Sequence, residues 1–269
     1  MGIAADKSPS RDDQGLTRLA DADIILTTEA LTKSFAGFMA VGGVSFELRR
    51  GHIHAVIGPN GAGKTTFFNL LTKFLSPTSG TIRFKGEDIT RERPADIAKR
   101  GVVRSFQISA TFPHLTLLEN VRVALQRTQG TAFQFWRSED VLHVLDARAR
   151  ELLADVGLEQ FADLQAVELP YGRKRALEIA TTLALDPELI LLDEPTQGMG
   201  HEDIDRVKAL IKRVAVGRTV LMVEHNMGVV ADISDRITVL QRGQIIAEGG
   251  YAEVSRDPRV VEAYLGNVH

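Results

Sequence analysis

The sequence predicts an α/β fold in which a mainly parallel core sheet carries a phosphate-binding P-loop at a strand end. First, Gly58-Pro59-Asn60-Gly61-Ala62-Gly63-Lys64-Thr65-Thr66 fits G-x-x-x-x-G-K-[ST]. An apolar run, Ile53 to Ile57, enters it and a helix-like segment, Thr65 to Leu75, leaves it. Second, Leu189-Ile190-Leu191-Leu192 runs into Asp193-Glu194, and Thr219 to Val223 runs into Glu224-His225-Asn226. Short apolar runs ending in polar side chains describe buried parallel strands that deliver acids and a histidine to their carboxyl ends. Third, 269 residues at 44% hydrophobic content bury a sizeable core, enough for one large domain or two lobes.

The loop carries the chemistry. Its glycines let the backbone turn sharply and point several N–H groups at a nucleotide's phosphates, while the following helix aims its positive end at the same charge. Asn60, Gly61, Ala62, Gly63, Lys64, Thr65 and Thr66 are therefore the expected nucleotide-binding residues. Lys64 reaches the β- and γ-phosphates in this reading, and the Thr65 hydroxyl ligates Mg²⁺.

Taken in order, residues 1–22 read as a loose tail, rich in Asp, Ser, Arg and Gly, without signal- or transit-peptide character. Ile24 to Leu31 reads as a strand and Thr32 to Phe38 as a polar, Gly-containing loop. Phe35 in that loop can stack on an adenine ring, and it or Phe38 can equally be core. Val44 to Leu48 alternates as a half-buried strand does. Arg49-Arg50-Gly51 then turns the chain into the loop strand.

Pro77 to Gly80 is a turn, Thr81 to Phe84 a strand, and Pro94 to Lys99 a short helix with proline in its first turn. Gly101 to Phe106 is a strand ending at Gln107, at the sheet edge where ligands bind; the residue type alone suits a plain surface glutamine better. From Leu115 to Gly157 the texture turns helical. Thr116-x-x-Glu119 is a capping box, and Val141, Leu145, Ala149, Leu152 and Val156 share one helix face. Phe133, Phe135 and Trp136 lie between these helices and read as local packing. The whole stretch is a helical subdomain, about residues 108–180, inserted in an α/β domain spanning 23–269.

Glu168 to Arg175 leads into a helix through Leu185, and then comes the acidic strand end, where Asp193 is expected to hold Mg²⁺ and Glu194 to deprotonate the attacking water. Gly200 to Val216 is a surface helix. His201-Glu202 opens like a zinc H-E-x-x-H motif, but Asp205 stands in the second histidine's place and removes that reading. His225, at the next strand end, is a candidate γ-phosphate contact. Asp235 to Leu240 and Gly243 to Glu248 read as strands, and Pro258 to Leu265 as the last helix.

Net charge is −3 and Lys/Arg runs are short, which gives no footprint for nucleic acid. Cysteine is absent, removing disulfides, thiolate chemistry and Cys-based zinc together. Nor does any stretch reach the roughly 18 consecutive apolar residues of a spanning helix, so membrane contact is expected only through a partner.

In this order, the P-loop, Gln107, Leu189 to Glu194 and His225 resemble the P-loop, Q-loop, Walker B and switch histidine of ABC transporter ATP-binding subunits, over about residues 24 to 265. The resemblance implies an ABC-type P-loop ATPase core with an antiparallel β part near the N-terminus and a helical lobe. It also implies a catalytic set of Lys64, Gln107, Glu194 and His225, a Mg²⁺ set of Thr65, Gln107 and Asp193, and ATP as the nucleotide. Two such chains bind two ATP molecules head to tail, each site completed by the partner's signature loop. Here that loop places Tyr171, Gly172 and Arg173 at the nucleotide. The second ATPase subunit is a copy or a paralogue, two permeases complete the complex at the cytoplasmic face of the membrane, and an extracytoplasmic solute-binding protein feeds it.

Tyr171 to Ala180, Gln241 to Gly249 and Val260 to Gly266 look like the branch serving branched-chain amino acid importers and relatives for amides or urea. The chain departs from the family at two places. Leu169-Pro170-Tyr171-Gly172-Arg173 stands where Leu-Ser-Gly-Gly-Gln is usual, losing a serine hydroxyl; Gly172's amide, the helix dipole and Arg173 remain to attract phosphate. Gly200 replaces a frequent Asp. The expected function is ATP hydrolysis powering an importer. The rivals are a lipid or lipopolysaccharide exporter ATPase, a soluble P-loop ATPase without a membrane partner, and a non-hydrolysing nucleotide-binding module.

Overall fold

The computed structural model describes residues 23–105, 111–128 and 144–265. Two sheets meet around the P-loop. The first is antiparallel, in the order β2-β1-β4-β5, from β1 (Ile24–Phe35), β2 (Phe38–Arg49), β4 (Ser79–Phe84) and β5 (Glu87–Asp88). The expected Thr32–Phe38 loop is in fact strand on both sides of a tight Ala36-Gly37 turn, with φ of 45° and 91°. Positive φ at both turn residues matches the twist of a hairpin. Thr32, Lys33 and Ser34 look loop-like in sequence because the strand end they form is polar and only half covered.

The core sheet runs β10-β9-β3-β8-β7-β6, from β3 (Ile53–Ile57), β6 (Val102–Ser105), β7 (Leu189–Asp193), β8 (Thr219–Val223), β9 (Arg236–Gln241) and β10 (Gln244–Gly249). All pairs are parallel except β9 with β10. β3, β7 and β8 are buried at every position, mainly aliphatic but with His54, Asp193 and Thr219 buried among them. Alternate residues serve two cores. Val56, Leu191, Leu221 and Val223 pack with Phe67, Phe68 and Leu71 of helix α1 (Lys64–Leu71) and with Phe46 and Phe84 of the first sheet. Ala55, Ile57, Ile190, Leu192, Val220 and Met222 face the other core, which includes residues of α5 (Tyr171–Leu183), α6 (His201–Val214) and α7 (Met227–Ile233). Trimming one such leucine to alanine costs about 2–5 kcal/mol.

α1 stops short of the expected Leu75. The Thr72 hydroxyl donates back to the Phe68 carbonyl at 2.8 Å and Lys73 is left-handed at φ 63°. α2 (Pro94–Lys99) is as expected. Between β6 and α5 lie α3 (Leu117–Thr128), α4 (Asp146–Asp155) and two short 3-10 turns, Glu159–Phe161 and Ala166–Glu168. The capping box of α3 forms: Thr116 N–H donates to the Glu119 carboxylate at 2.7 Å, and Glu119 N–H returns a bond to Thr116 Oγ1 at 3.2 Å. Leu145, Ala149, Leu152 and Val156 are buried on the predicted face. α8 (Tyr251–Val254) and α9 (Pro258–Leu265) close the chain. The tail 1–22, Phe106, Gln107, the aromatic segment 129–137 and Val141 lie outside the described residues.

Candidate active site

β3 occupies the middle of the core sheet, flanked by β8 and β9, and delivers the P-loop at its carboxyl end. Gly58 and Gly63 are obligatory. A Cβ on Gly58 would sit 2.1 Å from the Leu240 carbonyl oxygen, and one on Gly63 2.3 Å from that of Ala40. Both also have positive φ, 148° and 100°. The loop is further tied by Gly243 N–H donating to the Ala62 carbonyl at 2.9 Å. Within it Ala62 is buried and Asn60, Gly61 and Thr65 are exposed, with Thr66 half-buried at the start of α1.

Lys64 is buried, its ammonium donating to the carbonyls of Gly58 at 2.7 Å and Pro59 at 3.0 Å. Burial lowers its pKa, while the nearby carboxylates of Glu194 and Asp193 push it back up. That pairing brings the loop and the acidic strand end into one electrostatic site.

Asp193 ends β7 fully buried. Its Oδ2 takes a charge-assisted bond from Arg104 on β6, while its Oδ1 is buried without a hydrogen-bond partner. An orphaned, dry carboxylate oxygen is costly unless something cationic uses it. A hard divalent ion held by one carboxylate, the Thr65 hydroxyl and substrate oxygens fits this donor set. Among the described residues no group of three or more histidine or acidic side chains could hold a metal ion.

Glu194 follows in a left-handed conformation, φ 48°, uncommon outside glycine. Its N–H continues the sheet by donating to the Val223 carbonyl at 2.9 Å, and its Oε1 is in hydrogen-bond contact with His225 Nε2 from the end of β8. A carboxylate has no proton to offer, so the imidazole carries one on Nε2. Glu194 is the more enclosed partner, with 13% side-chain exposure against 40% for His225. Thus Lys64, Asp193, Glu194 and His225 converge at the carboxyl ends of β3, β7 and β8. General-base activation of water beside a phosphate cradle is the chemistry this arrangement allows.

Phe35 and Phe38 face each other across the hairpin turn, both exposed, which excludes the core reading for either. The Lys33 ammonium lies 5.0 Å from the Phe35 ring centre. Tyr171, Gly172 and Arg173 open α5, capped by Pro170 in extended conformation. Tyr171 is exposed; Gly172 abuts Asp203 of α6 so closely that a Cβ would come within 2.9 Å of its carboxylate. Arg173 stacks over Phe161 at 4.1 Å, lining a cavity of about 430 Å³ between the 3-10 turn and α6.

Sequence reasoning missed Arg104 and Arg175. Arg104 also donates to Asn69 Oδ1 at 2.5 Å, joining α1 to the acidic strand. Arg175 is buried, donating to Glu178 at 2.7 Å and to the Asp193 carbonyl at 3.3 Å, which ties α5 to the end of β7. The available signal was an arginine between Val103 and Ser105 in a short, mostly buried strand and an Arg–Glu pair at i,i+3, since buried charges require partners.

The family model described as "ABC transporter" matches residues 41–197, and one described as "Branched-chain amino acid ATP-binding cassette transporter" matches residues 244–269. The chain is 40% identical over 252 residues to the high-affinity branched-chain amino acid transport ATP-binding protein BraF of Pseudomonas aeruginosa, covering 90% of this chain and 98% of that one. Its structure resembles the ADP conformation of MJ1267, an ATP-binding cassette of an ABC transporter, with a TM-score of 0.79 and 31% identity over 91% of this chain and 99% of that one. It also resembles the dimeric, post-hydrolysis cassette MJ0796 bound to ADP and Pi, with a TM-score of 0.70 and 25% identity over 84% and 99% of the two chains.

Proposed function

Because this chain belongs to the ABC transporter family, we propose that it is the ATP-hydrolysing subunit of a membrane importer for branched-chain amino acids or related small polar solutes. The ATPase activity goes with the family; the solute is inferred from BraF and from the match at residues 244–269. Those same likenesses disfavour the lipid-exporter reading.

The observation that carries the proposal is the convergence of Lys64 with Asp193, Glu194 and His225. Lys64 and the amides from Asn60 to Thr66 neutralise phosphate charge, the main source of rate in phosphoryl transfer. Glu194 takes the proton of the attacking water, and His225 holds Glu194 in place through its Nε2 proton, which would turn to the γ-phosphate only once that bond is released. Mg²⁺, held by Thr65, Asp193 and Gln107, would supply further neutralisation of the phosphate oxygens. Phe35 stacks on the adenine.

Tyr171, Gly172 and Arg173 serve a second subunit's nucleotide, so two ATPase units, identical or paralogous, act head to tail. The dimeric MJ0796 cassette supports the pairing of two such units. We assign residues 23–269 to one ATPase domain, with residues about 108–180 as the lobe that passes closure to two permeases as a rigid-body shift. Among the described residues no helix is long and apolar enough to cross a membrane, in keeping with a peripheral subunit at the cytoplasmic face of the permeases. An extracytoplasmic solute-binding protein would complete the system.

Purification with the neighbouring permeases and solute-binding protein, followed by ATPase assays over amino acids, amides and urea, tests this. Stimulation by leucine, isoleucine or valine is expected. Stimulation by none of the panel would overturn the importer assignment.

A further inference from the structure

One buried acid beside the site has no part in the scheme above. Glu224 is the last residue before His225 and is 2% exposed. Its Oε1 accepts the Thr196 N–H at 3.0 Å and also the Thr196 hydroxyl; its Oε2 accepts the N–H groups of His225 at 2.7 Å and Asn226 at 3.0 Å. Four donors therefore converge on a single buried carboxylate, and they come from two different loops. Thr196 lies two residues after Glu194, in a turn closed by Gln197 N–H donating to the Glu194 carbonyl at 3.1 Å. Asn226 caps α7, its side chain accepting from Gly228 and Val229.

We infer that Glu224 is a positioning residue for hydrolysis, a clasp that fixes the loop of Glu194 against the loop of His225 so that their side chains meet. The ladder between β7 and β8 ends at Asp193 and Val223, with one further bond from the Glu194 N–H. Beyond that bond, nothing in the sheet dictates how far apart the two loops stand. A carboxylate suits the task because it only accepts, and all four groups facing it donate. A glutamine in its place would turn an NH₂ group toward two of those donors. The loop running on from Thr196 to Gly200 leads into α6, whose Asp203 abuts Gly172 of the signature segment. Hence the clasp also links that segment's surroundings to His225.

Because the clasp rests on the roles proposed for Glu194 and His225, the test is built to separate the two. Full-length chain in complex with its permeases is prepared as wild type and as Glu224→Gln, Thr196→Val, Glu194→Gln, His225→Ala and the double variant Glu224→Gln/His225→Ala. ATP turnover and nucleotide affinity are measured for each. Glu224→Gln is expected to lower kcat about 10- to 100-fold with KM and nucleotide Kd within about twofold of wild type, and Thr196→Val, which removes one donor, to fall between. The double variant should be no slower than His225→Ala. Full activity in Glu194→Gln and His225→Ala would refute the site assignment itself. If those are impaired while Glu224→Gln turns over at the wild-type rate, or its loss multiplies with that of His225→Ala, or Thr196→Val is unaffected while Glu224→Gln alone fails to fold, the clasp is wrong.

Discussion

Arg104 on β6 and Asp193 at the end of β7 form an ion pair across adjacent parallel strands, with side-chain exposures of only 11% and 1%. Removing one partner of a buried pair strands the other charge in a dry environment, at a cost of about 3–5 kcal/mol. Arg104→Met is therefore expected to lower unfolding stability by that amount in urea titration. Adding Asp193→Asn should restore most of it, since the amide carries no charge. Equal stability of Arg104→Met and wild type would show that Asp193 does not depend on this partner.

Glu194→Gln keeps the shape and loses the base. General-base catalysis contributes about 10²- to 10⁴-fold, so ATP turnover should fall by at least 10²-fold while nucleotide affinity persists. With hydrolysis stalled, a nucleotide-bound dimer should accumulate and elute early in gel filtration. Wild-type turnover in this variant would remove Glu194 from its role.

Gly63 and Gly61 separate strain from collision. Gly61→Ala meets open space at φ 78° and should lose about 1 kcal/mol through backbone strain. Gly63→Ala adds a 2.3 Å collision with the Ala40 carbonyl and should weaken nucleotide binding more than tenfold. Fluorescent-nucleotide titration and thermal unfolding of the two variants provide the comparison.

Burial pushes the His54 imidazole down to about 3 from 6.5, with Arg236 and His52 adding repulsion. Its Nε2 pairs with Thr238 Oγ1 at 2.8 Å. Below pH 6.5 the unfolded chain binds a proton that the folded ring refuses, so stability falls with falling pH, by up to about 1.4 kcal/mol per unit, until roughly pH 3. His54→Gln should flatten that segment of the stability–pH curve. An identical curve would mean that another group sets the acid limit.

Arg173→Ala is expected to reduce ATP turnover in the assembled transporter several-fold, with little effect on nucleotide binding by the isolated chain. Its guanidinium is held over Phe161 at the start of α5, on a part of the surface proposed to meet a second subunit's phosphates. Unchanged turnover would remove it from the mechanism.

The phosphate loop and the acid–histidine strand ends were legible because each is a contiguous string whose chemistry depends on its immediate neighbours. The helix capping box was legible for the same reason. Contacts that close only in space were not: Arg104 and Asp193 are 89 residues apart, and no local pattern says that β6 and β7 lie side by side. Thr32 to Ser34 misled in the opposite direction, since polar residues at an exposed strand end carry a loop's composition. α1 was read too long because the left-handed turn at Lys73 that ends it is invisible to apolar periodicity.

The strand hairpin and the β9–β10 turn grip the loop together: Gly42 donates to Gly243, Gly243 donates to Ala62, and the Ala40 carbonyl crowds Gly63. The cradle is thus a keystone between two sheets and belongs to neither alone. Sliding one layer past the other must deform it, so a half-melted cassette that still holds nucleotide has no place in this architecture, and loss of ligand on heating should coincide with separation of the layers.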